Sequence, residues 1–140
     1  MSFDIFISAF KRNEYYYYNR SIIEEIFAIY TQNTSDSYWP LNLGGFVYVN
    51  DQSLIHRSGG QPMIRSFGVN RPPANLVFWD LILQVLRDTP SVIYWPGYGT
   101  VACVANPAVI REMPPDMVEA LGYPLVVSRG NEILAAIERS

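Results

Sequence analysis

Ser91-Val92-Ile93-Tyr94-Trp95-Pro96-Gly97-Tyr98-Gly99-Thr100-Val101-Ala102-Cys103-Val104 is the stretch on which the fold turns. Its centre, Gly97-Tyr98-Gly99-Thr100-Val101-Ala102, fits the letters of a dinucleotide fingerprint, which would place it in a parallel sheet of βαβ units. That fingerprint requires a helix to open at the glycines and to hold a pyrophosphate at its N-terminus. Residues 101–104 read as strand instead, and no crossover helix fits before Asn106-Pro107. The stretch is therefore expected to be a hairpin turning through Pro96-Gly97-Tyr98-Gly99.

The segments on either side follow the same logic. Phe3, Ile5 and Ile7 recur at period two, which predicts an opening strand. Ser21 and Glu24 have capping-box spacing ahead of Ile22, Ile23, Ile26, Phe27, Ile29 and Tyr30, predicting a first helix that ends near Gln32. Residues 38–43 and 46–49 flank Gly44-Gly45 as a second hairpin, and residues 63–69 alternate as a further strand. After Pro72-Pro73, residues 75–87 align Leu76, Trp79, Leu83 and Leu86 along one helical stripe. Asn106-Pro107 and Pro114-Pro115 each open a short helix, the second ending at Gly122. Residues 125–127 form a last strand, and Asn131 is expected to cap a terminal helix. Hairpins outnumber crossovers, so the expectation is one α+β domain over residues 1–140. It would have a mainly antiparallel sheet of about five to seven short strands and helices on one face.

Composition narrows the function classes. With 49% hydrophobic and 16% charged residues, a chain of 140 has the material for a core without staples and leaves some aromatic surface exposed. The formal charge is −3 and Lys11 is the lone lysine, so no basic stripe is available for a phosphate backbone, and no nucleic-acid partner is expected. The longest apolar run, residues 76–86, is interrupted by Asp80 and Gln84 and is too short for a membrane span. A single Cys103 and an N-terminus without a signal-like apolar run point to a reducing cytoplasm.

Reactive side chains are sparse. Asp51, Ser53 and His56 supply the residue types of a hydrolase triad, but neighbours on one loop rarely reach its oriented geometry, and Ser53 lacks a nucleophile elbow. One histidine and one cysteine cannot build a zinc site, so neither metal nor cofactor is expected. Glu24 and Glu25 diverge on a helix, and Pro114-Pro115 separates Glu112 from Asp116 and Glu119. The chain reads as a binder and not an enzyme.

Tyr15, Tyr16, Tyr17 and Tyr18 are the most unusual local feature, because four consecutive aromatics cannot all face one core. Tyrosine offers rigid area and a hydroxyl at low entropic cost, as interfaces use it. The expected partner contacts are these four with Glu14, the loop bearing Asp51, His56 and Arg57, and the turn bearing Trp95 and Tyr98. Two alternatives stand beside this. One is a ligand pocket or active site where Asn70 and Arg71 meet Trp95; the other is a module that self-associates, as a homodimer, through the same aromatics.

Phe3-Asp4-Ile5-Phe6-Ile7, the Ser21 helix, Val69-Asn70-Arg71-Pro72-Pro73, Tyr94-Trp95-Pro96-Gly97 and Pro114-Pro115-Asp116-Met117 together resemble small bacterial immunity proteins of polymorphic-toxin systems. The resemblance implies a cytosolic antidote, without cofactor, that binds a cognate toxin domain and blocks its active site or substrate access. It carries over no contact residue, since such families vary the surface that meets the toxin.

Overall fold

A computed structural model describes residues 3–31, 37–56 and 60–140. Its strands are β1 (Asp4–Lys11), β2 (Glu14–Tyr15), β3 (Tyr18–Asn19), β4 (Tyr38–Pro40), β5 (Phe46–Tyr48), β6 (Leu54–His56), β7 (Pro62–Ile64), β8 (Ser66–Asn70), β9 (Ser91–Tyr94), β10 (Ala102–Val104) and β11 (Leu125–Val126). Its helices are α1 (Ser21–Phe27), α2 (Leu76–Asp88), α3 (Ala108–Glu112), α4 (Pro115–Leu121) and α5 (Gly130–Arg139). Among the described residues no helix is long and apolar enough to cross a membrane.

The fold is α+β with a mainly antiparallel sheet ordered β11-β10-β9-β1-β8-β5-β4, and β2 also pairs with β1. A second small sheet runs β3-β7-β6. The main sheet has eight strands, more than the five to seven expected, because short pieces such as β2 pair without any length of alternation in the sequence. The β9–β10 hairpin forms as read, with Trp95 N–H donating to Val101 C=O at 3.1 Å. Among the described residues only β10 and β11 pair in parallel, and the chain between them is spanned by α3 and α4.

Period-two alternation divides the two faces of the sheet. Ile5, Ile7, Val47, Phe67, Val69, Ile93 and Cys103 point to one face, where they bury Ile23 and Phe27 of α1, Phe78, Trp79 and Ile82 of α2, and Ile133 and Ile137 of α5. Phe10, Val92, Ala102 and Val104 point to the other, where Val109 of α3, with Met113 and Met117, packs against them. Helices thus cover one face fully, as expected, and the reverse face at one end only.

Local chemistry explains the helix ends. Asn75 Oδ1 accepts from Val77 N–H at 2.8 Å and starts α2, while Asn106 Oδ1 accepts from Ala108 N–H at 2.9 Å at the head of α3. The Ser21–Glu24 capping box does not form: Ser21 is already helical, its N–H donates to Asn19 Oδ1, and Glu24 accepts from Arg20 Nε at 2.6 Å. Asn131 lies inside α5, which opens at Gly130, and Leu76 at the start of α2 is exposed. The first helix gives way to a 3₁₀ turn at Ala28–Tyr30 that leaves Ile29 in solvent, and its expected end at Gln32 lies outside the described residues.

One departure shapes the reverse face. Residues 63–69 are not one strand; the chain breaks at Arg65 into β7 and β8, which belong to different sheets. Ile64 and Phe67 are both in the main core although three residues apart, so the alternation slips phase at Arg65, as a bulge does. Backbone bonds hold the break, Arg65 N–H to Ser53 C=O and Ala9 N–H to Arg65 C=O.

Candidate functional site

The part of the sheet's reverse face that α3 and α4 leave uncovered carries an aromatic and hydroxyl surface. Phe6 and Ser8 of β1, Tyr48 of β5, Ser66 and Gly68 of β8 and Tyr94 of β9 all project there by strand parity. Phe6 stacks on Tyr94 with ring centroids 5.6 Å apart. Arg12 and Asn13, at φ of 53° and 65°, turn β1 into β2 and bring Tyr15 onto Phe10 at 5.1 Å. The Arg65 guanidinium lies over the Tyr15 ring, 4.0 Å from its centroid, and 5.8 Å from that of Tyr17.

Two concavities open on this surface and share Tyr15 and Tyr94. The first, of ≈ 200 Å³, is polar and is lined by Ser8, Ser53, Arg65 and Ser66 among others. The second, of ≈ 480 Å³, is mostly apolar and runs between Phe10, Met117 and Leu121. Ser8 and Tyr94 share a hydroxyl–hydroxyl bond of 3.1 Å, and Ser53 and Ser66 share one of 3.0 Å. At the far end Asp4 accepts from Tyr48 Oη at 2.7 Å and from Asn70 Nδ2 at 2.8 Å. Burial, and then the Asp4 carboxylate, raise the Tyr48 phenol above its ordinary range; burial raises Tyr94 too, against the lowering effect of its Ser8 bond.

The expected contact residues fall into two groups. Glu14 and Tyr15 are exposed on β2, Tyr15 at 47%, and Tyr17 is half-buried beside Arg65. Tyr16 is half-buried under the Lys11 ammonium at 4.3 Å. Asp51 is exposed in the turn that also positions Ser53, so this turn, Tyr15 and Tyr17 gather at the Arg65 end of β1. His56 is exposed on β6, and Arg57 lies outside the described residues. Tyr98 is 91% exposed but sits on the β9–β10 turn at the opposite end of β1, near Arg139.

Two residues are corrected. Tyr18 is 5% exposed and faces the core from β3, with its hydroxyl unpartnered, and Trp95 is 3% exposed. Trp95 packs on the helix-covered face, where its indole N–H donates to Ser140 Oγ at 2.9 Å. Neither can anchor a partner from the surface. The expected Asn70–Arg71–Trp95 pocket also fails to assemble: Asn70 turns to Asp4 on the uncovered face, Trp95 turns to the other, and Arg71 is exposed at φ 50°. Asp51, Ser53 and His56 form no triad, since the Ser53 hydroxyl pairs with Ser66.

Cys103 is fully buried, and desolvation pushes its thiol up to about 12. Among the described residues no group of three or more His, Cys, Asp and Glu side chains gathers as a metal site would. Tyr48, Tyr94 and Arg65 were missed in the sequence because they come from two separate strands and the break between β7 and β8; only the tyrosine run marked the region. No family model, curated protein or solved structure matches the chain.

Proposed function

We propose that the chain is a cytosolic immunity protein that binds a cognate toxin domain through the uncovered sheet face. The observation that carries this reading is the sharing of Tyr15 and Tyr94 by two adjoining concavities, one polar and one apolar. Interfaces concentrate binding energy in such rigid aromatic anchors ringed by polar groups. Exposed Glu14 and Asp51 stand at the same end as exposed Lys11 and Arg12, so the rim offers charges of both signs to a partner. The resemblance of the Asn70-Arg71-Pro72-Pro73 and Tyr94-Trp95-Pro96-Gly97 segments to immunity proteins supplies the toxin as that partner.

The test is co-purification with the product of the neighbouring gene, together with rescue of growth when that product is expressed. Tyr15→Ala and Tyr17→Ala should each weaken the complex by about 2 kcal/mol, roughly thirtyfold in Kd, whereas Tyr98→Ala at the opposite end should leave it unchanged. Absence of both binding and rescue would reject the antidote reading. Sedimentation of the isolated chain as a dimer through the same face would favour self-association instead.

A further inference from the structure

Arg65 is placed where part of a cation is shut off from water and aromatic rings face it. Its Nε is buried without a hydrogen-bond partner, and among the described residues its side chain has no ion pair. A half-buried guanidinium stripped of water and left without a counter-charge is unfavourable. Tyr15 compensates in part through its ring face, 4.0 Å away, and also fixes the plane of the fork. Among the described residues no carboxylate lines the ≈ 200 Å³ concavity, and Arg65 is the one ionised side chain that does.

The hydroxyls around it are half used. Ser8 with Tyr94, and Ser53 with Ser66, are each joined by a single bond, which consumes one of the two protons in each pair. Each pair therefore keeps one O–H free to donate. Ser8 and Ser53, one member of each pair, are buried at 1% and 8% exposure, so each pair is held in place from the strand side.

We propose that this concavity is a carboxylate-binding pocket, with the Arg65 guanidinium as the charged donor and the Ser8–Tyr94 and Ser53–Ser66 pairs as neutral ones. A carboxylate fits for two reasons. Its single charge matches a single arginine, where a phosphate dianion would remain under-compensated, and its two oxygens accept several bonds in the forked geometry that arginine presents. The pocket stands independently of the toxin reading, since the carboxylate of a small molecule or of an acidic side chain meets the same groups.

The test uses the full chain labelled with ¹⁵N, following the Arg65 Nε–Hε resonance and the Ser66 and Gly68 amides at constant ionic strength. Titrants are acetate, its neutral isostere acetamide, inorganic phosphate, and a glutamate tripeptide with both termini blocked. Acetate should shift these resonances saturably, with acetamide and phosphate about tenfold weaker. Arg65→Gln should lower acetate affinity by about tenfold, read at the amides, while Ser8→Ala, which leaves the charge and leaves the Tyr94 hydroxyl to donate, should lower it less. Tighter binding of the tripeptide than of acetate assigns the pocket to acidic side chains, and the reverse assigns it to small carboxylates. Equal shifts with acetamide, a lack of saturation, or unchanged acetate binding in Arg65→Gln would each overturn the proposal. The comparison of acetate with acetamide needs no variant, so it stands if Arg65→Gln does not fold.

Discussion

The Tyr48 ring lies across Gly68 so closely that a Cβ on that glycine would fall 2.4 Å from Tyr48 Cζ. The missing side chain on β8 is what allows the phenol to reach over the strand and donate to Asp4. Gly68→Ala should therefore displace the ring and break the bond. The expected loss is about 1–3 kcal/mol in denaturant unfolding, with the Tyr48 phenol titrating at lower pH in an absorbance titration because it loses both burial and the Asp4 carboxylate. Asp4→Asn should lower the Tyr48 titration with a smaller loss of stability, which separates the electrostatic effect from the steric one.

Alkaline pH should weaken the fold. Burial raises the folded-state values of Tyr18, Tyr48, Tyr94 and Cys103, so each group favours its neutral, protonated form in the folded chain. Above the unfolded-state values the folded chain binds more protons than the unfolded one, and stability falls as pH rises. Unfolding free energy should be flat with respect to these groups below about pH 8.5 and decline above it, the range set by ordinary thiol and phenol values. Equilibrium unfolding measured from pH 7 to 11 checks this, and a stability that rose with pH would contradict it.

Tyr18→Phe should stabilise the protein. The Tyr18 hydroxyl is buried with no hydrogen-bond partner, so its removal relieves a desolvation cost while the ring keeps its place against β7. A gain of about 1 kcal/mol is expected, together with a shallower alkaline decline. Denaturant midpoints of the two chains at pH 7 and pH 10 measure both effects.

Cys103 should behave as an inert thiol. With its value pushed up to about 12 from 9.0, the folded chain carries roughly a thousandfold fewer thiolates near neutral pH than an exposed cysteine would. Reaction with a disulfide reagent at pH 8 should therefore track unfolding, accelerating with added denaturant; fast modification of the folded chain would show that the strand opens.

Gly130→Ala should be more damaging than Gly68→Ala. A Cβ at Gly130 would meet backbone atoms of α2, Asp80 N and Trp79 C, each at 2.7 Å, and backbone cannot rotate aside as a tyrosine can. The packing of α5 on α2 depends on this approach, so a loss of about 3 kcal/mol is expected, with exchange protection falling first along residues 130–139.

Local signals carried most of the fold. The Pro96-Gly97 turn, the Asn106-Pro107 start and the Pro114-Pro115 start act within a few residues, and each worked as read. What could not be read was long-range. The phase slip at Arg65 is invisible in an alternating sequence, because it depends on Ser53 and Ala9 being available to bond the break. The reading of Tyr15, Tyr16, Tyr17 and Tyr18 rightly required that some be exposed, but which ones followed from the Arg12-Asn13 turn and from the burial of Tyr18 against Ile64. Trp95 misled because a tryptophan beside a turn looks available, and only the arrival of Ser140 from α5 shows that it is covered.

The central position of β1 bears on synthesis. Asp4 pairs with Asn70 and Phe6 with Tyr94, so β1 meets its two neighbours only after 66 and 88 further residues have been made. Until then its apolar residues wait uncovered. A chain wired in this way should collapse late, and fold more slowly than a helical bundle of equal length. The nascent β1 segment is where a chaperone would have the most to hold.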